Sequence, residues 1–488
     1  MIVSELIKGV KGVKVRGNSD KEITDLVSSS AAVSEGSVFF AYKGEVSDGR
    51  DYVADAVSRG AAAVVTDRET PDDITEIIVP DVRSAMSYMA YRFYKPTGKR
   101  VKVIGVVGTN GKTTITYIIK NVLDAAGKSA GVIGTLGIKY GKVNVCPELT
   151  TPDAITLMRT LKDMADCGVE YAVMELSAHA IALKRAKALK FAALVFTNCT
   201  RDHLDYFNCF DEYEKTKMSV FTRKNCDFCV INADDATGRK IIDRTDAKTY
   251  TYGLKNPSDV FSVNVECDLK GSSFVMNVFD DIACFDFCLT GEYNVYNCMA
   301  AALTCYVAGV PLSVINKAVA SMVRVDGRGE FVESYNGADV FVDYAHTPDG
   351  LENVLKTFRE LTDGKLYVVF GCGGNRDKEK RPEMGRIAGS FADFSVITSD
   401  NPRFEDPYRI ISDIESGIRR VTRSYITIQN RRLAIRYALG LLNKGDVLLI
   451  CGKGAEDYQD VMGVKTEFND KKAIGEIVAG LDFGIDAF

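Results

Sequence analysis

The stretch Gly108-Thr-Asn-Gly-Lys-Thr-Thr114 separates an apolar run, Val101 to Val107, from an amphipathic one. The second run carries Ile115, Ile118, Ile119, Val122, Leu123 and Ala126 at helical spacing and stops at Gly127. A strand that turns through small residues into a helix opens a βα unit, which a parallel sheet has to continue. In such a turn successive backbone N–H groups point inward onto a polyphosphate, Lys112 reaches the outer phosphates and the Thr113 hydroxyl is placed to ligate magnesium. The strict glycine pattern asks for Gly at 106, where Val106 stands, with Gly105 and Gly108 on either side.

The 488 residues suggest about three domains. A turn-rich segment, Lys95-Pro-Thr-Gly-Lys-Arg100, marks the first boundary, and Asp326-Gly-Arg-Gly329 the second, giving units 1–97, 98–326 and 327–488. Strand-length apolar runs alternate with helical stretches in the second unit, at Tyr171 to Met174, Ala193 to Phe196 and Asp227 to Ile231. The alternation restarts in the third at Val340 to Val342, Leu366 to Phe370, Phe394 to Thr398 and Val447 to Ile450. The expected class is α/β: a small N-terminal α/β domain, a central phosphate-loop domain on a parallel sheet, and a doubly wound, Rossmann-like C-terminal domain. Polar clusters follow the carboxyl end of nearly every run: Glu175-Leu-Ser-Ala-His179, Thr197-Asn198 with Asp202-His203, Asp343-Tyr-Ala-His346, Gly371 to Arg376, Ser399 to Arg403 and Cys451 to Glu456. That rim is where open parallel sheets bind ligands, and two such rims suit a reaction between two ligands.

A net charge of -5 with scattered basic residues argues against nucleic acid or an anionic membrane as partner. No stretch approaches the roughly 18 apolar residues of a membrane span, and charges interrupt Met1 to Val15, so a cytoplasmic protein without membrane insertion is expected. The 13 cysteines sit singly in apolar runs, and Cys226 and Cys229 lack the second pair of a zinc site; reduced thiols are expected. All 3 histidines fall in rim clusters. Glu175 and His203 are suited, with Thr113, to magnesium beside a triphosphate. Lys217, from its residue type alone, reads as a solvated helix residue.

Taken in order, Gly108 to Thr114, Glu175 to His179, Asp202-His-Leu-Asp-Tyr206, Tyr213 to Lys217, Gly291-Glu-Tyr-Asn-Val-Tyr-Asn297, Gly327-Arg328, Asp343-Tyr-Ala-His-Thr-Pro348 and Gly452-Lys-Gly454 resemble the Mur ligases of cell-wall peptide assembly. Thr150-Thr-Pro-Asp-Ala154 and Asp400-Asn-Pro-Arg403 are similar to the type that adds the third residue to UDP-N-acetylmuramoyl-L-alanyl-D-glutamate. The resemblance implies ATP and Mg2+ as cofactors. It implies a loop of Gly108, Thr109, Asn110, Gly111, Lys112, Thr113 and Thr114, a metal set of Thr113, Glu175, His203 and Lys217, and Lys217 as a carbamylated lysine. Asn294 and Asn297 would lie near adenine, and Arg328 and Asp343 would close over the nucleotide. Thr150, Thr151, Ser177 and Arg185 would hold the UDP-sugar dipeptide, and Ser30 with Tyr42 to Gly49 the uridine. The chain departs from the family's pattern at Ala31, Arg50, Leu183 and Ala455.

The implied chemistry is ATP-driven amide formation through an acyl phosphate, carried out by a protein expected to be a monomer. Lys112, Glu175, His203 and Lys217 would be its catalytic groups, acting by positioning and charge stabilisation. Arg403, behind the rigid Pro402, suits bidentate capture of the far carboxylate of meso-2,6-diaminopimelate, which lysine lacks. Glu456 would accept the distal ammonium, and Arg376, Asp400, Asn401 and Gly452 match positions contacting the same amino acid. Addition of L-lysine, or a folylpolyglutamate-type ligation, are the alternatives.

Overall fold

The computed structural model describes residues 1–480 except 45–46, 72, 96–100 and 147–148, so most of the expected boundary turn at Lys95 to Arg100 lies outside the described residues. Three large sheets and one separate two-stranded hairpin carry the chain among the described residues. In the first, Asp25–Val27, Ser37–Phe40, Ala63–Thr66 and Thr75–Ile78 run parallel, and Lys14–Arg16 closes one edge antiparallel. In the third, Ala338–Asp343, Val447–Cys451, Leu366–Phe370, Phe394–Ile397 and Tyr425–Thr427 are parallel neighbours in that order, with Glu330–Tyr335 antiparallel at the edge.

The second sheet has 11 strands and is mixed. Its parallel centre follows the expected runs, in the order Ala130–Gly134, Tyr171–Glu175, Lys102–Val107, Phe191–Phe196, Cys226–Asn232 and Lys248–Tyr252. Gly137–Tyr140 and Val143–Val145 extend one edge antiparallel; at the other, Val260–Asp268 joins parallel to Lys248–Tyr252, and Gly271–Val278 and Asp281–Phe287 follow antiparallel. The strand Lys102–Val107 thus sits deep in the sheet, and its burial on both faces fits its unbroken apolar pattern. The helix Lys112–Ala125 that follows buries Ile115, Ile118, Ile119, Val122 and Leu123 completely, and each such side chain stabilises the fold by about 1.5–3 kcal/mol. A rigid strand and a rigid helix therefore anchor the two ends of the loop between them.

The helix Phe210–Met218 corrects one expectation. Lys217 is not solvated but fully buried, because Tyr213 and Glu214 on the same helix are buried beside it and the phosphate loop lies against that face. Arg159 ties the first sheet to the second, donating to Asp25 at 3.0 Å and to the Tyr94 hydroxyl at 2.9 Å. Among the described residues no helix is long and apolar enough to cross a membrane.

Candidate active site

The carboxyl rims of the second and third sheets face each other across a cavity of about 360 Å³. Thr109 to Thr114 form its floor. Gly111 caps the helix Lys112–Ala125 with φ +85, a left-handed conformation that glycine adopts without steric cost, and a Cβ there would stand 2.4 Å from the Asn297 amide oxygen. Gly108 lies under the loop, where a Cβ would meet the Thr197 hydroxyl at 1.8 Å. Lys112 folds back on the turn, donating to the carbonyls of Gly108 at 2.9 Å and Thr109 at 2.8 Å. Burial pushes its pKa down, against the pull of Glu175 and Asp202.

Glu175 ends a sheet strand and is almost completely buried. Its carboxylate accepts from the Thr113 hydroxyl at 2.9 Å, the Thr135 N–H at 2.8 Å and the Thr135 hydroxyl at 3.2 Å. Thr113 in turn accepts from Arg328 at 2.8 Å, so a guanidinium at the edge of the third sheet reaches the phosphate loop. Asn110 donates to Asp349 of that same region at 2.6 Å. Arg376 approaches Asp205 at 4.0 Å, and Arg201 pairs with Glu379. Asp343 accepts from the N–H groups of Gly329 at 2.6 Å and Ala345 at 2.7 Å, with burial raising its pKa. Asn297 donates to Asn294 at 3.0 Å on the wall behind Gly111.

His203 has φ +56 and lines the cavity, edge-on to His179 with ring centres 4.6 Å apart. Burial lowers its pKa to about 3 despite Asp202 alongside, so at neutral pH the ring is uncharged and offers a lone pair. Lys217 does not line the cavity but lies beneath the loop, donating to the Thr109 hydroxyl at 2.7 Å with its nitrogen 4.0 Å from the Tyr213 ring centre. No carboxylate pairs with it among the described residues, and burial brings its pKa down to about 7. Among the described residues no group of at least 3 His, Cys, Asp and Glu side chains is ready to hold a metal. The donor set of the Thr113 hydroxyl, Glu175 carboxylate and neutral His203 nevertheless fits a divalent cation, and a carboxylate on Lys217 would add to it.

Thr150, Ser177, Arg376, Asp400, Asn401, Arg403, Gly452 and Glu456 also line the cavity. Thr151 and Arg185 stand behind it: the Thr151 hydroxyl donates to the Glu175 carbonyl at 2.7 Å, and Arg185 donates to the Thr151 carbonyl at 2.7 Å. Pro402 is buried in its loop and does not line the cavity. Arg403 donates to the Gly374 carbonyl at 2.7 Å, which leaves most of its guanidinium N–H groups for another acceptor. Asp400 is pushed up by burial, but Lys453 and Arg431 outweigh this and hold it below the usual carboxylate range. Glu456 accepts from Asn401 at 2.9 Å and from Lys453 at 3.1 Å.

Ser30 lies apart from this cavity, buried at the start of a short helical turn in the first unit, and residues 45–46 of the expected uridine run lie outside the described residues. Arg50 is engaged by Asp48 and by Asp67, the latter at 3.0 Å. Sequence reasoning missed Thr135, Asp349, Lys380 and Lys453. Thr135 and Asp349 touch the site through a turn and a helix start whose own sequence carries no ligand pattern, whereas Lys453 stands in the noted Gly452-Lys-Gly454 and was readable there.

Three family models match consecutive parts of the chain: "Mur ligase family, catalytic domain" over residues 22–94, "Mur ligase middle domain" over 106–305 and "Mur ligase, glutamate ligase domain" over 327–454. A UDP-N-acetylmuramoyl-L-alanyl-D-glutamate–2,6-diaminopimelate ligase of Geobacillus thermodenitrificans is 41% identical over 478 residues, covering 96% of this chain and 98% of its own. The ligase of that name from Clostridium tetani is 39% identical, covering 99% and 100%. A solved structure of a ligase with the same name superposes with a TM-score of 0.71 at 30% identity, covering 99% of this chain and 100% of that one. The MurF ligase of Thermotoga maritima, solved in complex with ADP, shares the fold with a TM-score of 0.63 at 20% identity, covering 94% and 97%.

Proposed function

The chain belongs to the Mur ligase family, and from that premise we propose that it is the ATP-dependent ligase that joins meso-2,6-diaminopimelate to UDP-N-acetylmuramoyl-L-alanyl-D-glutamate. The observation that carries the reading is a single cavity shared by the phosphate loop on one side and the loop Asp400 to Arg403 on the other. The division of labour follows the chain: residues 1–97 take the UDP end, 98–326 the ATP and 327–488 the incoming amino acid. The protein acts as a monomer in the cytoplasm.

ATP in the loop Gly108 to Thr114 presents its γ-phosphorus to the γ-carboxylate of the D-glutamyl residue. Attack by that carboxylate gives an acyl phosphate and ADP; the amino group of diaminopimelate then attacks the acyl carbon and phosphate leaves. No protein nucleophile is needed. Lys112, turned from the Gly108 and Thr109 carbonyls toward the phosphates, offsets their charge together with the loop N–H groups. Arg328 and Asn110 join the second and third sheets over the loop, which keeps water from the acyl phosphate. Thr113, Glu175, His203 and Lys217 would hold magnesium, which when bound supplies positive charge to the triphosphate. Lys217 suits carbamylation because CO2 adds only to a neutral amine, and the adduct replaces a buried, unpaired ammonium with a ligand carboxylate. At the other end, the unused N–H groups of Arg403 fit the distal carboxylate of diaminopimelate in the bidentate manner a guanidinium favours.

Phosphate release from ATP tests this, measured with the UDP-dipeptide and either meso-diaminopimelate or L-lysine. Release is expected to be far faster with meso-diaminopimelate than with lysine. No release with either sinks the ligase reading, and a preference for lysine sinks the specificity.

A further inference from the structure

The loop that faces the incoming amino acid has one internal bond, Asn401 N–H to the Asp400 carboxylate at 2.7 Å, and is otherwise held from outside. Arg403 has φ +51, a left-handed backbone that costs a non-glycine residue about 1 kcal/mol or more, so something outside the loop has to impose it. The imposing element is the hairpin Tyr458–Val461 and Val464–Glu467, which turns at Met462 and Gly463. Arg403 N–H donates to the Asp460 carbonyl at 3.0 Å, and the Arg403 carbonyl accepts from Met462 N–H at 2.7 Å. Asn401 accepts from Asp460 N–H at 3.0 Å. From the hairpin one side chain joins these bonds: the Gln459 amide donates to the Asp400 carbonyl at 2.7 Å. Every residue of the loop except Pro402 is therefore bonded to the hairpin. Beside it, a Cβ on Gly373 would stand 2.8 Å from the Arg403 guanidinium, so the channel that directs that group into the cavity has no slack.

Resting on the function proposed above, we infer that this hairpin is the template for amino-acid choice and that Gln459 is the positioning residue through which a side chain sets it. Gln459 does not line the cavity. It acts by fixing the Asp400 carbonyl, and with it the path of the backbone that aims Arg403. A guanidinium displaced by even an ångström loses the paired geometry needed to grip a carboxylate. Lysine has no such carboxylate, so its weak use should not depend on the hairpin.

The test compares wild type with Gln459→Ala, with Gln459→Glu, which keeps the shape but cannot donate, and with Glu467→Ala. Glu467 lies on the same hairpin, pairs with Lys472 and makes no bond to the loop. Both Gln459 variants should raise KM for meso-diaminopimelate on the order of tenfold, the loss expected for one partly buried hydrogen bond. KM for ATP and kcat should stay within about twofold, and the preference for meso-diaminopimelate over lysine should fall by the same factor as the KM rises. Glu467→Ala should match wild type. Unchanged KM and preference in the Gln459 variants would overturn the inference. So would KM values for ATP and diaminopimelate that rise together with a fall in Tm, since that marks a merely stabilising strand pair. Absence of wild-type turnover with meso-diaminopimelate overturns the underlying function instead, and this inference with it.

Discussion

The two ends of the helix Lys112–Ala125 offer a matched pair of substitutions. Gly111 at its start has φ +85 and Gly127 beyond its end has φ +71, so alanine at either adopts a left-handed backbone costing about 1–2 kcal/mol. Their surroundings differ. A Cβ at 127 meets nothing within 4 Å, whereas one at 111 would stand 2.4 Å from the Asn297 amide oxygen. Asn297 must then move, giving up its 3.0 Å bond to Asn294, worth about 1 kcal/mol. Gly111→Ala thus carries about 2–3 kcal/mol against the loop geometry that receives phosphate, equivalent to ATP affinity weakened about 30-fold to about 150-fold. Gly127→Ala should cost about 1–2 kcal/mol of stability and leave ATP binding untouched. Calorimetric titration of ATP with thermal melts of both variants separates the terms. Wild-type affinity in Gly111→Ala, or equal loss of affinity in both, would refute the argument that the loop is shaped by this close approach.

Lys217→Ala should abolish ligation, with partial recovery on adding chloride or a small carboxylate, as read by phosphate release; full activity without additive rules out the carbamate. Arg403→Asn should raise KM for meso-diaminopimelate about a hundredfold and leave lysine use unaltered, which steady-state kinetics with each amino acid would reveal. His346 is buried, donates its Nδ1–H to the Tyr344 carbonyl at 2.8 Å and lies near Lys380, Asp202 and Arg328; burial first and Lys380 next hold its pKa at about 4 against 6.5 when free. The unfolded chain binds this proton more readily, so the stability of about 3 kcal/mol is fully present above pH 6.5 and is lost as pH falls toward 4. His346→Gln should flatten the fall of Tm across that window, and an unchanged slope would show that other groups govern it.

The phosphate loop and the rim clusters were legible because their signals are local: a strand, a small-residue turn and a helix occupy adjacent residues, and each polar cluster directly follows an apolar run. The hairpins at 260–287 were not, since Val260–Asp268 is half exposed and its alternation is interrupted by a register shift after Val263. Lys217 was misread for a related reason. The helix Phe210–Met218 carries charges on all sides, and Lys217 is buried against Thr109, which comes from more than a hundred residues away. The hairpin behind Arg403 is polar, short and unremarkable as sequence, and its role exists only in the bonds it makes to the loop at 400–403.

Mass spectrometry of the product tests the central claim most directly. Purified protein incubated with ATP, magnesium, UDP-N-acetylmuramoyl-L-alanyl-D-glutamate and meso-diaminopimelate should yield the UDP-tripeptide, with one ADP and one phosphate formed per amide bond. ATP consumed without that product, or the product formed without ATP, would contradict the account.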